Sequence, residues 1–174
     1  GYVQAVPGGR KTKLIVAPLT SADAREIYHI VGALDGLAAW HAAKLPERER
    51  MTLVNGMARI NDLIAEAGKR APPDHQKLLE LHGEFHDLVL DAVTAPRLRA
   101  LHAATKPQAD RYRRIYSSGD FGQQVRSVEE HRGIVGAIGD GDAAESLCRT
   151  QDHWMSAAGR LCDIIEILGE RGTW

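Results

Sequence analysis

Four of the eight histidines in this chain are spaced so that they could share one metal ion. His82 and His86 are four residues apart, which on a helix places both side chains on one face, where two ring nitrogens can bind a single ion. His131 lies within the apolar stripe of a later predicted helix, and His153 lies at the margin of the last one. Taken alone, each fits a hydrogen-bonded core histidine. Because burying four imidazoles without a shared partner is costly, the group predicts a metal site.

The remaining histidines are not grouped with other candidate ligands and are predicted to lie on the surface or on helix flanks: His29, His41, His75 and His102.

The two cysteines, Cys148 and Cys162, would lie roughly 21 Å apart on one helix. A disulfide requires Cα atoms within about 7 Å, so that pairing is excluded. Reduced thiols suggest a cytoplasmic protein.

The elements that must position these histidines belong to a single domain of 174 residues. Lysine plus arginine (22) nearly balance aspartate plus glutamate (23), which argues against a nucleic-acid-binding face made from the whole chain. No apolar run approaches the roughly 18 residues of a membrane-spanning helix, and no signal-peptide pattern opens the chain. We therefore expect a soluble protein without a membrane partner.

Helical signals dominate from residue 20 onward, and prolines, glycines and capping residues divide them into six helices. The predicted spans are residues 20 to about 45, 46 to about 68, 72–74 to about 94, 96 to 117–119, about 121 to 138, and 140 or 142 to 169. Gly139 is expected to end the fifth helix. The apolar stripe expected on the first helix comprises Ile27, Ile30, Leu34, Leu37 and Ala38. Six helices with short links predict an all-α antiparallel bundle.

The first 19 residues follow a different pattern. Apolar and polar side chains alternate up to a Pro-Gly-Gly sequence at residues 7–9, which is typical of the end of a β-strand or of a hairpin followed by a linker. Residues 13–18 are also compatible with an extended conformation.

Over residues 20–168 the chain resembles the FCD domain, the C-terminal effector domain of FadR-type transcription regulators of the GntR family. The resemblance rests on segments in the family's order and spacing: Pro18-Leu19-Thr20 before Ala24-Arg25-Glu26-Ile27-Tyr28; Phe85-His86; Pro96-Arg97-Leu98; Glu130-His131 through Ala137-Ile138; Gly141-Asp142-Ala143-Ala144; and His153, 22 residues after His131.

The resemblance implies a bundle of six to seven helices with a central cavity and a metal held by one aspartate and three histidines. The three histidines correspond to His86, His131 and His153, while the aspartate position holds His82. Four imidazoles favour Zn²⁺, Ni²⁺ or Cu²⁺ over Mn²⁺, and we expect Zn²⁺, with Ni²⁺ as the alternative.

A second departure concerns the effector. The family's arginine on the first helix, which helps hold an anionic ligand, is replaced by Val31. Either the effector is less anionic, or another cation replaces that arginine; the candidates are Arg111, Arg113 and Arg114. The simpler interpretation of these arginines is a solvated helix face.

The resemblance also assigns residues 1–19 to the end of a winged-helix wing and its linker, and residues 20–174 to an effector-binding and dimerisation domain. A small organic acid bound at the metal would control a homodimer, which contacts DNA only through a winged helix that precedes this sequence. One alternative is a metal-free bundle that binds an apolar or acyl effector. The other is a metal-dependent hydrolase or oxygenase. Against an enzyme, no carboxylate stands out as a base near the histidine pair, since Glu84 and Asp87 point away.

Overall fold

Six helices and one hairpin make up the part of the chain that the computed structural model describes, namely residues 3–8, 11–70, 74–93, 95–116 and 122–171. The strands are β1 (Val3–Gly8) and β2 (Lys11–Val16). The helices are α1 (Ser21–Ala42), α2 (Glu47–Gly68), α3 (His75–Ala92), α4 (Pro96–Tyr116), α5 (Gly122–Asp140) and α6 (Ala143–Leu168). The predicted all-α bundle is confirmed. The helix ends predicted at residues 72–73, 94, 117–119 and 121 lie outside the described residues.

Short polar side chains set two of the helix starts that the sequence predicts. Thr20 Oγ1 accepts a hydrogen bond from the backbone of Asp23 at 3.2 Å, and Asp142 does the same for Glu145 at 3.0 Å. The predicted C-terminus of α5 was wrong by two residues, because the glycine with a positive φ (75°) is Gly141 and not Gly139. The closing hydrogen bonds run from the backbone N–H groups of residues 141 and 142 to the carbonyls of residues 138 and 137.

Helix α1 lies against α6, and the two run antiparallel. Leu19, just before α1, forms backbone hydrogen bonds of 2.7 and 3.2 Å with Arg171, just after α6. Two glycines on α1 allow the close approach. A Cβ atom added at Gly32 would lie 2.7 Å from Trp154 Cβ, and one at Gly36 would lie 3.2 Å from the carbonyl oxygen of Leu147.

The buried face of α1 differs from the predicted stripe. Ile30 and Leu37 are 40% and 41% exposed, whereas Val31 and Ala38 are buried. Ile27 and Ala38 of the predicted stripe are buried as expected. The close approach of α6 at Gly32 and Gly36 places the remaining contact between them and leaves Ile30 and Leu37 at its edges. The side of α1 that faces the core is therefore closer to Gly32 and Gly36 than the predicted stripe is.

Two groups of buried apolar side chains form the core. One lies among α2, α3 and α5 and includes Met57, Phe85 and Ile138; the other lies among α1, α4 and α6 and includes Tyr28 and Trp154. Side chains of α3 join the two groups, and this is where the histidines are found.

The N-terminal residues form a hairpin in which Val3 pairs with Val16 and Gly8 pairs with Lys11, as the alternating pattern predicts. Residues 9 and 10, between the two strands, lie outside the described part. Leu14 and Val16 are 74% and 67% exposed, so the hairpin presents an apolar face to solvent. None of the described helices combines the length and apolarity needed to cross a membrane.

Candidate metal centre

Four histidines from three helices meet in the interior of the bundle. His82 and His86 come from α3, His131 from α5 and His153 from α6, and each offers a ring nitrogen within 4.8 Å of the others. All four side chains are buried. We call these residues the histidine cluster. The structure therefore brings together the four residues that the sequence predicts as metal ligands.

Aromatic packing sets the positions of the rings. The His131 ring stacks on Phe85, with centroids 3.9 Å apart and planes 13° apart, while the His86 ring lies 5.2 Å from that of Trp154. The rings of His131 and His153 are 4.7 Å apart. The cluster is thus packed between the two apolar groups, where a ring cannot turn without disturbing its neighbours.

Asn61 of α2 fixes the tautomer of His131. Its amide nitrogen donates to the carbonyl of Val128 at 3.0 Å, so its oxygen must be the atom that lies 3.0 Å from His131 Nδ1. An amide oxygen only accepts hydrogen bonds, so Nδ1 carries the proton and donates. The lone pair of His131 is consequently on Nε2.

Glu130 of α5 fixes the tautomer of His153. Its carboxylate lies 2.7 Å from His153 Nδ1 and is itself held by Arg160 through bonds of 2.9 and 3.2 Å. Burial alone would raise the pKa of Glu130, but the hydrogen bonds from His153 and Arg160 bring it below its ordinary value. An ionised carboxylate requires a donor, so the proton of His153 is on Nδ1.

Asp35 of α1 is the partner of His86. His86 Nδ1 lies 3.4 Å from Asp35 Oδ2, and the same carboxylate accepts a hydrogen bond of 3.0 Å from Trp154 Nε1. His102 Nε2 lies 3.1 Å from the other oxygen, Oδ1. The predicted surface position of His102 was therefore wrong: it is buried because it faces a carboxylate on α1.

These three partners were missed by the sequence analysis. From the sequence, only Glu84 and Asp87 are considered as carboxylates near the histidine pair, whereas Asp35 contacts His86 from another helix. A pattern that points to Asp35 and Asn61 does exist, because each is a polar residue within the buried stripe of its helix. Glu130 is half-buried beside His131 in the sequence, and nothing in the pattern of α5 predicts its partner.

Burial keeps the cluster uncharged. It lowers the pKa of His82, His86 and His131 well below the ordinary 6.5, and that of His153 less because Glu130 opposes the shift. The positive charge of Arg113 lowers all four pKa values further. At neutral pH the four rings are therefore neutral, which is the form that binds metals.

One nitrogen in the cluster is fully enclosed and has no hydrogen-bond partner among the described residues, namely Nε2 of His131. Buried polar atoms in proteins are nearly always paired, so such an atom requires an explanation. Because it is an unprotonated acceptor facing other neutral rings, it fits a coordinated cation. A donor set of four imidazoles suits Zn²⁺, Ni²⁺ and Cu²⁺.

The three arginines considered for effector binding lie in different surroundings. Arg111 donates to the carbonyl of Ala17 at 2.5 Å, and Arg114 is exposed. Arg113 is half-buried, and its charge acts on the whole histidine cluster. Burial lowers the pKa of Arg113 itself, so its charge is poorly solvated. Of the three, Arg113 is placed to act on the cluster.

Comparison with known proteins adds the family. A model of the FCD domain family matches residues 26–155, which is more than half of the chain and includes the whole histidine cluster. None of the curated proteins matches the chain. FCD domains of GntR-type regulators bind small-molecule effectors and are typically dimeric. The chain belongs to the FCD family, the C-terminal effector domains of FadR-type regulators in the GntR family.

Proposed function

We propose that this domain senses a small organic acid at a metal ion held by His82, His86, His131 and His153, and that it acts as a dimer to control an N-terminal winged helix. The observation that carries the proposal is the enclosed, unpartnered Nε2 of His131 among neutral rings. A bound divalent ion would supply a positive docking point for an anionic oxygen. Zn²⁺ is the expected ion and Ni²⁺ the alternative.

The charges around the cluster favour an anionic effector. Four neutral ligands do not balance the charge of a divalent ion. Of the two carboxylates behind the rings, Glu130 is neutralised by Arg160, and Asp35 is shared by His86, His102 and Trp154. Arg113 adds a second positive charge that is poorly solvated, because burial lowers its pKa despite the nearby Asp110. A carboxylate that binds beside Arg113 would satisfy both, which makes Arg113 the counterpart of the missing arginine at Val31.

Helix α4 offers a route from the effector to the N-terminal residues. Next to Arg113, the Tyr112 hydroxyl accepts a hydrogen bond of 3.1 Å from the backbone of Thr20, and Arg111 holds the carbonyl of Ala17. Ala17 lies in the segment 1–19 that we assign to the wing and linker, and Thr20 is the first residue after it. A shift of α4 on effector binding would move this linker and change the spacing of two DNA-binding domains.

The hairpin supports the assignment of residues 1–19 to a wing and linker. Two-stranded hairpins are marginally stable alone, and this one exposes Leu14 and Val16 on a face where Val3 lies opposite Val16. A winged-helix domain packed on this face would cover these side chains.

The nearby carboxylates favour sensing over hydrolysis. Asp35 and Glu130 both face the Nδ1 side of their histidines and are occupied by hydrogen bonds there. Neither is free to act as a base on the Nε2 side, where an ion would lie. We therefore propose a regulatory site and not a catalytic one.

The first test is the metal content of the purified domain by inductively coupled plasma mass spectrometry. We expect about one equivalent of zinc or nickel in the parent and none in a His86→Ala, His131→Ala double variant. The matched control is His29→Ala, His41→Ala, which removes two exposed histidines of α1. A parent that binds neither added Zn²⁺ nor added Ni²⁺ would overturn the proposal.

A further inference from the structure

The four histidines of the cluster are not held equally. His131 and His153 each have Nδ1 hydrogen-bonded to a partner on another helix, at 3.0 and 2.7 Å, and His86 Nδ1 lies 3.4 Å from the Asp35 carboxylate. His82 has no hydrogen bond within the described part of the chain. It is also the most exposed of the four, at 7%. Among the described residues, His82 is therefore the one ring of the cluster without an outer partner at Nδ1.

Such outer partners have a known physical effect. A hydrogen bond to Nδ1 fixes the tautomer, orients the ring and leaves the lone pair on Nε2, so that less ordering is required when an ion binds. The three partners also come from separate elements, with Asp35 on α1, Asn61 on α2 and Glu130 on α5. Three lone pairs are thus positioned in advance by the fold.

His82 differs in its neighbours as well. Its ring centroid lies 4.8 Å from that of His131 but 6.4 Å from that of His153. After burial, the positive charge of Arg113 is the largest influence on its pKa, whereas for His86 and His131 it is the neighbouring His153. The positive charge of Arg113 thus acts on all four rings, and on His82 most of all after burial.

We propose that His86, His131 and His153 form a fixed three-nitrogen face positioned by Asp35, Asn61 and Glu130, and that His82 is an exchangeable fourth ligand which an anionic effector displaces. This inference rests on the proposed metal site and assigns different roles to its members. In the exchange, a carboxylate oxygen takes the position of the neutral His82 nitrogen. His82 leaves without a change of protonation, and the net positive charge of the site falls by one.

The test compares single variants by their affinity for Zn²⁺, measured in competition with a chromophoric chelator. His131→Ala is expected to weaken binding by more than about 100-fold, and His82→Ala by about tenfold or less with one equivalent retained. If His131→Ala does not fold, His86→Ala serves in its place. Equal losses in His82→Ala and in the fixed-ligand variant would overturn the inference. A parent without affinity for Zn²⁺ would instead overturn the proposed site itself.

Two further measurements separate positioning from general stability. Asn61→Ala should weaken Zn²⁺ binding by about 10- to 100-fold, whereas Asn61→Asp, which keeps an oxygen facing His131, should restore most of the affinity.

Displacement of His82 can be followed with Co²⁺ as a spectroscopic probe. Adding acetate to the parent should shift its visible absorption toward that of His82→Ala with acetate. If acetate changes the spectra of the parent and of His82→Ala by the same amount and the two spectra remain different, His82 is still bound in the parent. That result would contradict displacement of His82.

Discussion

The hydroxyl of Tyr112 donates a hydrogen bond to the carboxylate of Asp23 at 2.6 Å and accepts one from the backbone of Thr20. This arrangement joins α4 to the first turn of α1 across 89 residues of sequence. Burial and the bond to Asp23 both raise the pKa of Tyr112, so the hydroxyl keeps its proton throughout the physiological range. Together with the bond from Arg111 to the carbonyl of Ala17, it fixes the segment that precedes α1 against α4.

Removing this hydroxyl should loosen that segment. We expect Tyr112→Phe to lower the free energy of unfolding by about 1–3 kcal/mol, because a charge-assisted bond is lost and the ring remains in place. Urea denaturation followed by circular dichroism measures the change. Unchanged stability would mean that water replaces the hydroxyl without cost.

The helix contact between α1 and α6 makes a prediction that can be checked with a matched pair of variants. Gly32→Ala places a methyl group 2.7 Å from Trp154 Cβ, where neither helix can yield cheaply, and should cost about 1–3 kcal/mol. Gly159→Ala on α6 meets no atom within 4 Å and should stabilise the protein by up to about 1 kcal/mol. The two melting temperatures should therefore move in opposite directions, and a shift in the same direction would contradict this packing.

Much of this fold follows from local signals in the sequence, and the failures share one cause. The starts of α1 and α6 are set by Thr20 and Asp142, residues whose short side chains act within one turn. The burial of His102 and the role of Asp35 depend on which helix lies opposite, as does the buried face of α1. Spacing along one helix brings His82 and His86 together, but it contains no information about partners supplied by other helices.

The tautomers of the cluster can be observed in the metal-free protein. Nitrogen-15 NMR of the histidine rings should show the proton on Nδ1 in His86, His131 and His153, because their partners accept from that nitrogen. His82 should show a mixture of tautomers or the form with the proton on Nε2, which is favoured in water. A fixed Nδ1 proton on His82 would contradict its assignment as the unconstrained ring.

Acid should destabilise the metal-free protein in a defined range. Burial holds the pKa of the cluster below 6.5, so below about pH 6.5 the unfolded chain binds protons on these rings and the folded protein does not. The free energy of unfolding should therefore be steady above pH 6.5 and fall as the pH decreases from there toward the lowered pKa values. Chemical denaturation at a series of pH values, after removal of metal by a chelator, measures this slope. His82→Gln should reduce the slope, whereas His29→Gln, on the exposed face of α1, should leave it unchanged.

Arg113 provides the last prediction, since it tests the class of effector and not the metal. In the Zn²⁺-loaded protein, a small carboxylate should raise the melting temperature, and Arg113→Gln should remove most of that increase because the anion loses its partly desolvated counter-charge. Arg114→Gln removes the same charge from an exposed position one residue away and should preserve the increase. Equal responses in the two variants would mean that long-range charge attracts the carboxylate. A response lost only in Arg113→Gln would assign to Arg113 the counter-charge of the bound carboxylate.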